Sequence, residues 1–387
     1  MDTSYIINQL GEERDSYMNA VSPPIFQTSI FKFNDVATMR ESLKKEYEIP
    51  FYTRGYNPTV AILRKKIAAL AGAEDALVFA SGSASVAAAV MSSVKAGDHI
   101  VTVKKPYSWT NKLFIDYLPR FDISATMIDG TDAGNYEAAI QDNTKLIYLE
   151  SPNSITFELQ DIEKVVKIAK DRGLTTILDN SYSTPLNQQP IKLGVDMTVH
   201  SASKYFGGHS DIIAGILCSS KERIHRIFGS EFMTIGGIIS PNDAWLMIRS
   251  MRTLPIRLEK IAKTTLQVVE FLEGNEAIGR MIYPFSKSHP QFELAQKQMQ
   301  RGGGLFSIEL KTEEIDRIEG FCNNLKRFLL ACSWGGYESL VFPMAALHNT
   351  QNYDTELQSN LIRFSIGLEE PELLIEDLKQ AIDQYLL

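Results

Sequence analysis

From about Pro58 to Cys218 the chain reads as short apolar runs separated by helix-like stretches, and this alternation restricts the fold more than any other feature. The runs are Ala76–Ala80, His99–Val103, Ser124–Ile128, Lys145–Leu149, Thr175–Leu178, Met197–His200 and Ile212–Cys218. Helical patterns cover Val60–Ala71, the Ala/Val-rich Ser83–Val94, Ser108–Tyr117 and Asp161–Asp171. Strands alternating with helices predict βαβ units and a largely parallel sheet. LIYL and TILD show no polar face, which suits strands covered on both sides.

The flanks read differently. Residues 1–50 form a polar arm with a short helix, then SPPIFQTSIF, which its two prolines make extended. After Pro241 a long helical stretch runs from Asp243 to Leu272, with a kink or break predicted at Pro255. Leu305–Leu310 and Ile362–Ile366 read as strands. The chain closes on an amphipathic helix with Leu374, Leu378, Ile382 and Leu386 at i, i+4 spacing. The expected organisation is an N-terminal arm (1–50), a large α/β domain with a mostly parallel sheet (51–245) and a smaller α/β C-terminal domain (246–387).

Charge and cysteine usage narrow the function. Lys and Arg total 39 against 47 Asp and Glu, a net charge of −8, so no basic excess exists to neutralise a nucleic acid. No run of about 18 apolar residues occurs, so no membrane span is expected. The start, MDTSYIINQLGEERDS, lacks an apolar signal-peptide region, and a cytoplasmic enzyme is the expectation. Cys218, Cys322 and Cys332 are far apart, with no CxxC or HExxH, so neither a metal site nor a disulfide framework is expected.

In parallel α/β sheets, ligands collect at the C-terminal ends of the strands. There the chain places Glu150 after LIYL, Asp179 after TTIL, and HSASK with Ser201, Ser203 and Lys204. Ser81-Gly82-Ser83 lies between a strand and a helix, where free backbone N–H groups bind anions. Tyr107 follows another strand end. Each feature alone has an ordinary reading as a cap, turn or surface residue. Together they match the needs of pyridoxal 5'-phosphate: an amine for a Schiff base, a carboxylate for the pyridine nitrogen, N–H and hydroxyl donors for the phosphate, and an aromatic ring to stack.

The ordered segments YTRGYNPT (52–59), ASGSAS (80–85), GDHIV (97–101), DNSYSTP (179–185), HSASKYFGGHSD (200–211), SWGGYESL (333–340) and LIRFSIGLE (361–369) resemble the Cys/Met-metabolism family of pyridoxal-phosphate enzymes. The resemblance implies fold type I, the aspartate-aminotransferase-like fold. It implies that Lys204 is the Schiff-base lysine and proton carrier. It further implies that Asp179 pairs with the pyridinium and that Tyr107 stacks on the ring and assists proton transfer. Gly82, Ser83, Ser201 and Ser203 would hold the phosphate. Tyr52 and Arg54 would reach the same phosphate from a neighbouring subunit, in an active homodimer that the family commonly pairs into a homotetramer. Arg363 would clamp the α-carboxylate of an amino-acid substrate, with Ser333 beside it and Arg54 reading the distal end.

Within the family, the γ-active enzymes commonly carry Glu before the Ser-Leu-Gly-Gly stretch. This chain has Cys332 there, followed by Ser333-Trp334-Gly335-Gly336, and the Trp variant resembles the cystathionine β-lyase branch. ESPNSITFE (150–158) resembles that branch too, with Ser154 where many relatives have Asn. Trp109 stands where methionine γ-lyases typically have Cys. The expectation is α,β-elimination on L-cystathionine or a related cysteine thioether, releasing homocysteine, pyruvate and ammonia on the way to methionine. γ-Elimination or γ-replacement, as in cystathionine γ-lyase or γ-synthase, is the alternative. A non-catalytic cofactor carrier does not need a carboxylate clamp, and a dinucleotide-binding dehydrogenase would need a GxGxxG after its first strand, which is absent.

Overall fold

Asp75–Phe79 (β1), His99–Val103 (β2), Ser124–Ile128 (β3), Thr144–Glu150 (β4), Thr175–Asp179 (β5), Met197–Ser201 (β6) and Gly215–Ser219 (β7) form one sheet. The computed structural model describes residues 1–347, 350 and 357–387. Across the sheet the order is β1-β7-β6-β5-β4-β2-β3. The five strands from β6 to β3 pair in parallel, whereas β7 runs antiparallel to both β6 and β1. β1 therefore points the same way as β6, and the C-terminal ends of β1, β2, β4, β5 and β6 share one edge.

Side-chain alternation along β4 explains the apolar runs. Leu146 and Tyr148 enter one core with Leu77, Ile100, Ile177 and Val199. Ile147 and Leu149 enter the opposite core with Val101, Val103 and Leu178. Helices cover both faces, so both positions of the two-residue repeat are apolar. The Ala/Val-rich stretch forms the helix Gly82–Met91, which packs into the first of these cores through Val86, Ala88, Ala89 and Val90.

The chain divides into two compact units. The first holds residues 1–150, 160–207 and 211–253, and contains β1 to β7. The second holds 254–387 together with the short segments 151–159 and 208–210. Its sheet comprises Ile278–Ile282 (β8), Leu305–Leu310 (β9), Leu329–Leu330 (β10), Leu340–Pro343 (β11) and Leu361–Ser365 (β12), in the order β10-β11-β12-β9-β8. Apart from the parallel β10–β11 pair, it is antiparallel. Its core joins Phe306, Ile308, Ile362 and Phe364 to Leu374, Leu378 and Ile382 of the closing helix Pro371–Tyr385.

The long helical stretch is two helices, Pro241–Met251 and Leu254–Glu273. The break falls at Arg252–Thr253 rather than at Pro255. A proline ring obstructs the turn that precedes it, so Pro255 sits in the first turn of the second helix, where its missing N–H costs nothing. Within the first unit the N-terminal arm is held by buried charge. Glu12 and Lys66, whose side chains are both inaccessible, pair at 3.0 Å. Arg252 adds a second contact to Glu12 at 3.0 Å, and Lys66 also donates to the carbonyls of Ile6 and Ile7. Burial lowers the Lys66 pKa, and the Glu12 carboxylate opposes that shift.

Candidate active site

At the shared strand edge, Asp179 ends β5 and lies in register with Glu150 of β4 and Val199 of β6. Its Oδ1 accepts the Ser181 backbone N–H at 2.9 Å and the Ser181 hydroxyl at 2.6 Å. Oδ2 accepts no hydrogen bond among the described residues. Burial raises the Asp179 pKa; the Ser181 bonds and the charge of Lys204 work against that rise. A carboxylate so placed calls for a cation opposite Oδ2.

Lys204 stands half-buried in the turn after β6, where its N–H donates to the Ser201 carbonyl at 3.2 Å. The turn closes through Gly207 N–H to the Ala202 carbonyl at 2.8 Å. The amine and the Asp179 carboxylate act on each other electrostatically.

A candidate anion cradle lies at the start of the helix Gly82–Met91. Ser81 caps it by accepting from Ala84 N–H at 3.1 Å. A Cβ on Gly82 would stand only 3.0 Å from Ser201 Cα and Cβ, so glycine allows the helix start to meet the end of β6. Gly215 works the same way from β7, since a Cβ there would overlap the Ser81 carbonyl. Ser83 is exposed on the first turn and Ser201 is partly exposed. Ser203 is held more firmly than its spacing implied: its Oγ accepts Ala214 N–H at 3.0 Å. Helix N–H groups and serine hydroxyls are a suitable donor set for a phosphate.

Tyr107 precedes the short helix Ser108–Lys112 and is 44% exposed. Its N–H donates to Glu150 Oε2 at 2.7 Å, and Glu150 is itself buried. Tyr52 and Arg54 lie exposed on the loop before the helix Pro58–Ala71, the guanidinium 5.2 Å from the Tyr52 ring centre.

In the second unit, Arg363 occupies the middle of β12, with Ser307 and Phe342 opposite it. Nη1 donates to the Ser154 carbonyl at 3.1 Å and Nη2 to the Ser333 carbonyl at 3.3 Å, while the Phe342 ring lies 5.5 Å beneath. Ser333 has φ +78 and is exposed, as is Cys332. Ser154 thus meets Arg363 through its backbone. The neighbouring Asn153 shapes the loop: its Oδ1 accepts the N–H groups of Ile155, Thr156 and Phe157.

Amine, carboxylate, aromatic ring and anion cradle meet the requirements of pyridoxal phosphate in one unit. The comparisons agree. A model of the Cys/Met metabolism PLP-dependent enzymes matches residues 3–383.

The chain belongs to that family.

Its cofactor is therefore pyridoxal 5'-phosphate, and the mostly parallel large sheet with a second, smaller sheet is the fold type I architecture. A cystathionine β-lyase of Lactococcus lactis subsp. cremoris (strain MG1363) is 37% identical over 379 residues, covering 97% of each chain. A cystathionine γ-lyase of Bacillus subtilis (strain 168) is 34% identical over 374 residues, covering 95% of this chain and 96% of that one. A crystal structure of metB from Corynebacterium glutamicum superposes with a TM-score of 0.92 at 32% identity, covering 99% and 98%. The chain is thus a PLP-dependent enzyme of the trans-sulfuration family. No described helix is long and apolar enough to cross a membrane, and no described cluster of His, Cys, Asp and Glu has the makings of a metal site.

Three contributors escaped the sequence reading in these roles. Ser181 and Glu150 support Asp179 and Tyr107, and Asn153 orders a loop. Glu150 had a signal, its place at a strand end. The Ser181 hydroxyl and the Asn153 turn have only the local pattern of a short polar side chain bonding neighbouring backbone.

Proposed function

We propose that this enzyme catalyses α,β-elimination of L-cystathionine or a related L-cysteine thioether, yielding a thiol, pyruvate and ammonia. With cystathionine and one water, the products are homocysteine, pyruvate and ammonia. When bound, pyridoxal phosphate supplies an electron sink that lowers the cost of negative charge at Cα.

The residues take the following parts. Lys204 holds the cofactor and, once freed by substrate, takes the Cα proton as general base. Asp179 keeps the pyridine nitrogen protonated, which strengthens the sink. Tyr107 covers the ring and assists proton movement towards the leaving sulfur. Gly82, Ser83, Ser201 and Ser203 bind the phosphate, joined by Tyr52 and Arg54 of a neighbouring subunit in a homodimer, itself half of a homotetramer. Arg363 receives the substrate α-carboxylate with Ser333 beside it. The Ser154 and Ser333 carbonyls that it meets hold the plane of its guanidinium, which suits two parallel bonds to a carboxylate. Arg54 reads the distal end of the thioether. We place the reaction in the cytoplasm, ahead of methionine formation.

Position 332 carries the choice of β over γ chemistry. The γ-active members commonly have Glu there, and this chain has the exposed thiol of Cys332. γ-Elimination needs a second proton removed, from Cβ. Similarity to both a β-lyase and a γ-lyase keeps γ-elimination or γ-replacement as the second reading. The test pairs S-methyl-L-cysteine, whose sulfur leaves from Cβ, with an O-acyl-L-homoserine, whose acyloxy group leaves from Cγ. Turnover of the first to pyruvate, with little keto acid from the second, supports the proposal; the reverse preference overturns it.

A further inference from the structure

We infer that Ser181 is a positioning residue for the cofactor: its hydroxyl orients the Asp179 carboxylate through Oδ1, leaves Oδ2 for the pyridine nitrogen, and links that carboxylate to the phosphate-binding end of β6. This rests on the proposed pairing of Asp179 with the pyridine nitrogen.

Three distances carry the inference. The Ser201 N–H donates to Ser181 Oγ at 2.6 Å. Ser181 Oγ in turn donates to Asp179 Oδ1 at 2.6 Å, and the Ser181 backbone N–H reaches the same oxygen at 2.9 Å. A hydroxyl has one proton. Because the Ser181 oxygen accepts from Ser201, its proton is directed to Asp179. The 2.6 Å separation lies in the range of hydrogen bonds from a hydroxyl to a charged oxygen.

The backbone bond from Ser181 is an Asx turn, which almost any residue at 181 could make. The hydroxyl is the part specific to serine, and it does two things. It occupies Oδ1, so a ring N–H meets Oδ2. It also ties the pyridine end of the site to Ser201, in the strand that meets the Gly82 helix start. Burial disfavours the charged carboxylate, and after burial the Ser181 hydroxyl is the largest influence on it, in the opposite direction. Removing the hydroxyl leaves a carboxylate that is less readily ionised and less firmly aimed.

The experiment compares Ser181→Ala, Ser181→Thr, Asp179→Asn and the Ser181→Ala/Asp179→Asn double variant with the parent enzyme. It measures apoenzyme affinity for pyridoxal phosphate, the pH dependence of the visible absorption band of the loaded enzyme, and kcat. Loss of one hydrogen bond to a charged group predicts roughly tenfold weaker cofactor binding in Ser181→Ala. The absorption-band pH profile shifts with it, and Ser181→Thr, which keeps the hydroxyl, returns both to near parent values. In the Asp179→Asn background, removing the hydroxyl has little further effect, because its action passes through the carboxylate.

Parent-like cofactor affinity and pH profile in Ser181→Ala, beside a crippled Asp179→Asn, overturn the role of Ser181 alone. A parent-like Asp179→Asn overturns the underlying pairing as well. Equal losses from Ser181→Ala with and without Asp179 mark a purely structural part and also overturn the inference. Should Ser181→Ala not fold, Ser181→Cys, a weak donor of similar size, takes its place in every comparison.

Discussion

Glu150 accepts the backbone N–H of Tyr107 through Oε2 at 2.7 Å, across 43 residues of chain. The bond pins the backbone that carries the exposed Tyr107 ring to a buried carboxylate at the end of β4. Where the ring stands thus depends on Glu150. A Glu150→Ala variant should lose about 1.5–3 kcal/mol of this anchoring, as for other hydrogen bonds to charged groups. We expect kcat to fall by about tenfold or more, with a changed near-ultraviolet circular dichroism from the displaced ring. An unchanged spectrum and kcat would separate Tyr107 from Glu150.

Arg363 contacts two carbonyls from distant parts of the chain, Ser154 and Ser333. A lysine has no planar fork and cannot keep this bracing while binding a carboxylate bidentately. Arg363→Lys should lower kcat/KM for a thioether amino acid by about 10–100-fold, mostly through KM. Cofactor affinity should stay at the parent value. Substrate titrations at saturating cofactor, beside cofactor titrations of the apoenzyme, measure the two effects separately.

His200 sets an acid limit. Its ring lies inside the first unit, with Nδ1 3.2 Å from the Asn180 carbonyl and Nε2 buried without a partner. Burial pushes its pKa down to about 4 from the ordinary 6.5, and the Asn180 carbonyl only partly opposes this. His289 is pushed to about 4 as well, by burial first and then by Arg280. Between pH 6.5 and 4 the unfolded chain therefore binds protons that the folded chain refuses. Stability is complete above 6.5 and falls as the pH drops through this window, by roughly 3 kcal/mol for His200. Denaturant unfolding of His200→Gln across pH 4 to 7 should show a shallower pH slope than the parent. An unchanged slope would exclude His200 as a source of it.

Glu12 concerns the N-terminal arm. It meets Lys66 and Arg252 with its own side chain inaccessible. Removing its charge leaves the buried Lys66 ammonium without its carboxylate. We expect Glu12→Gln to cost about 3–5 kcal/mol, as when one partner of a buried ion pair is removed. Denaturant unfolding measures this, and a loss below 1 kcal/mol would contradict it.

Local features of this chain could be read from the sequence, and long-range ones could not. The unbroken apolar run LIYL and the four-residue spacing of the closing helix depend on near neighbours, so strands and helices were legible. The place of Asp179 and Lys204 at or just after the C-terminal ends of strands was legible because strand ends face the ligand edge in a parallel sheet. The antiparallel direction of β7 was not, since its apolar residues suit a parallel neighbour equally well. The proline put the expected helix break at Pro255 itself, but its steric demand acts on the preceding turn, so the break falls at Arg252–Thr253. The contact from Arg363 to Ser154 spans 209 residues and rests on a backbone carbonyl, which no side-chain pattern announces. The same holds for the N–H of Tyr107 on Glu150.

The choice between β and γ cleavage is tested most directly by purified enzyme acting on L-cystathionine, with the keto acid and the thiol both identified. The account predicts pyruvate and homocysteine in equal amounts, abolished in Lys204→Ala. 2-Oxobutyrate with cysteine would contradict it.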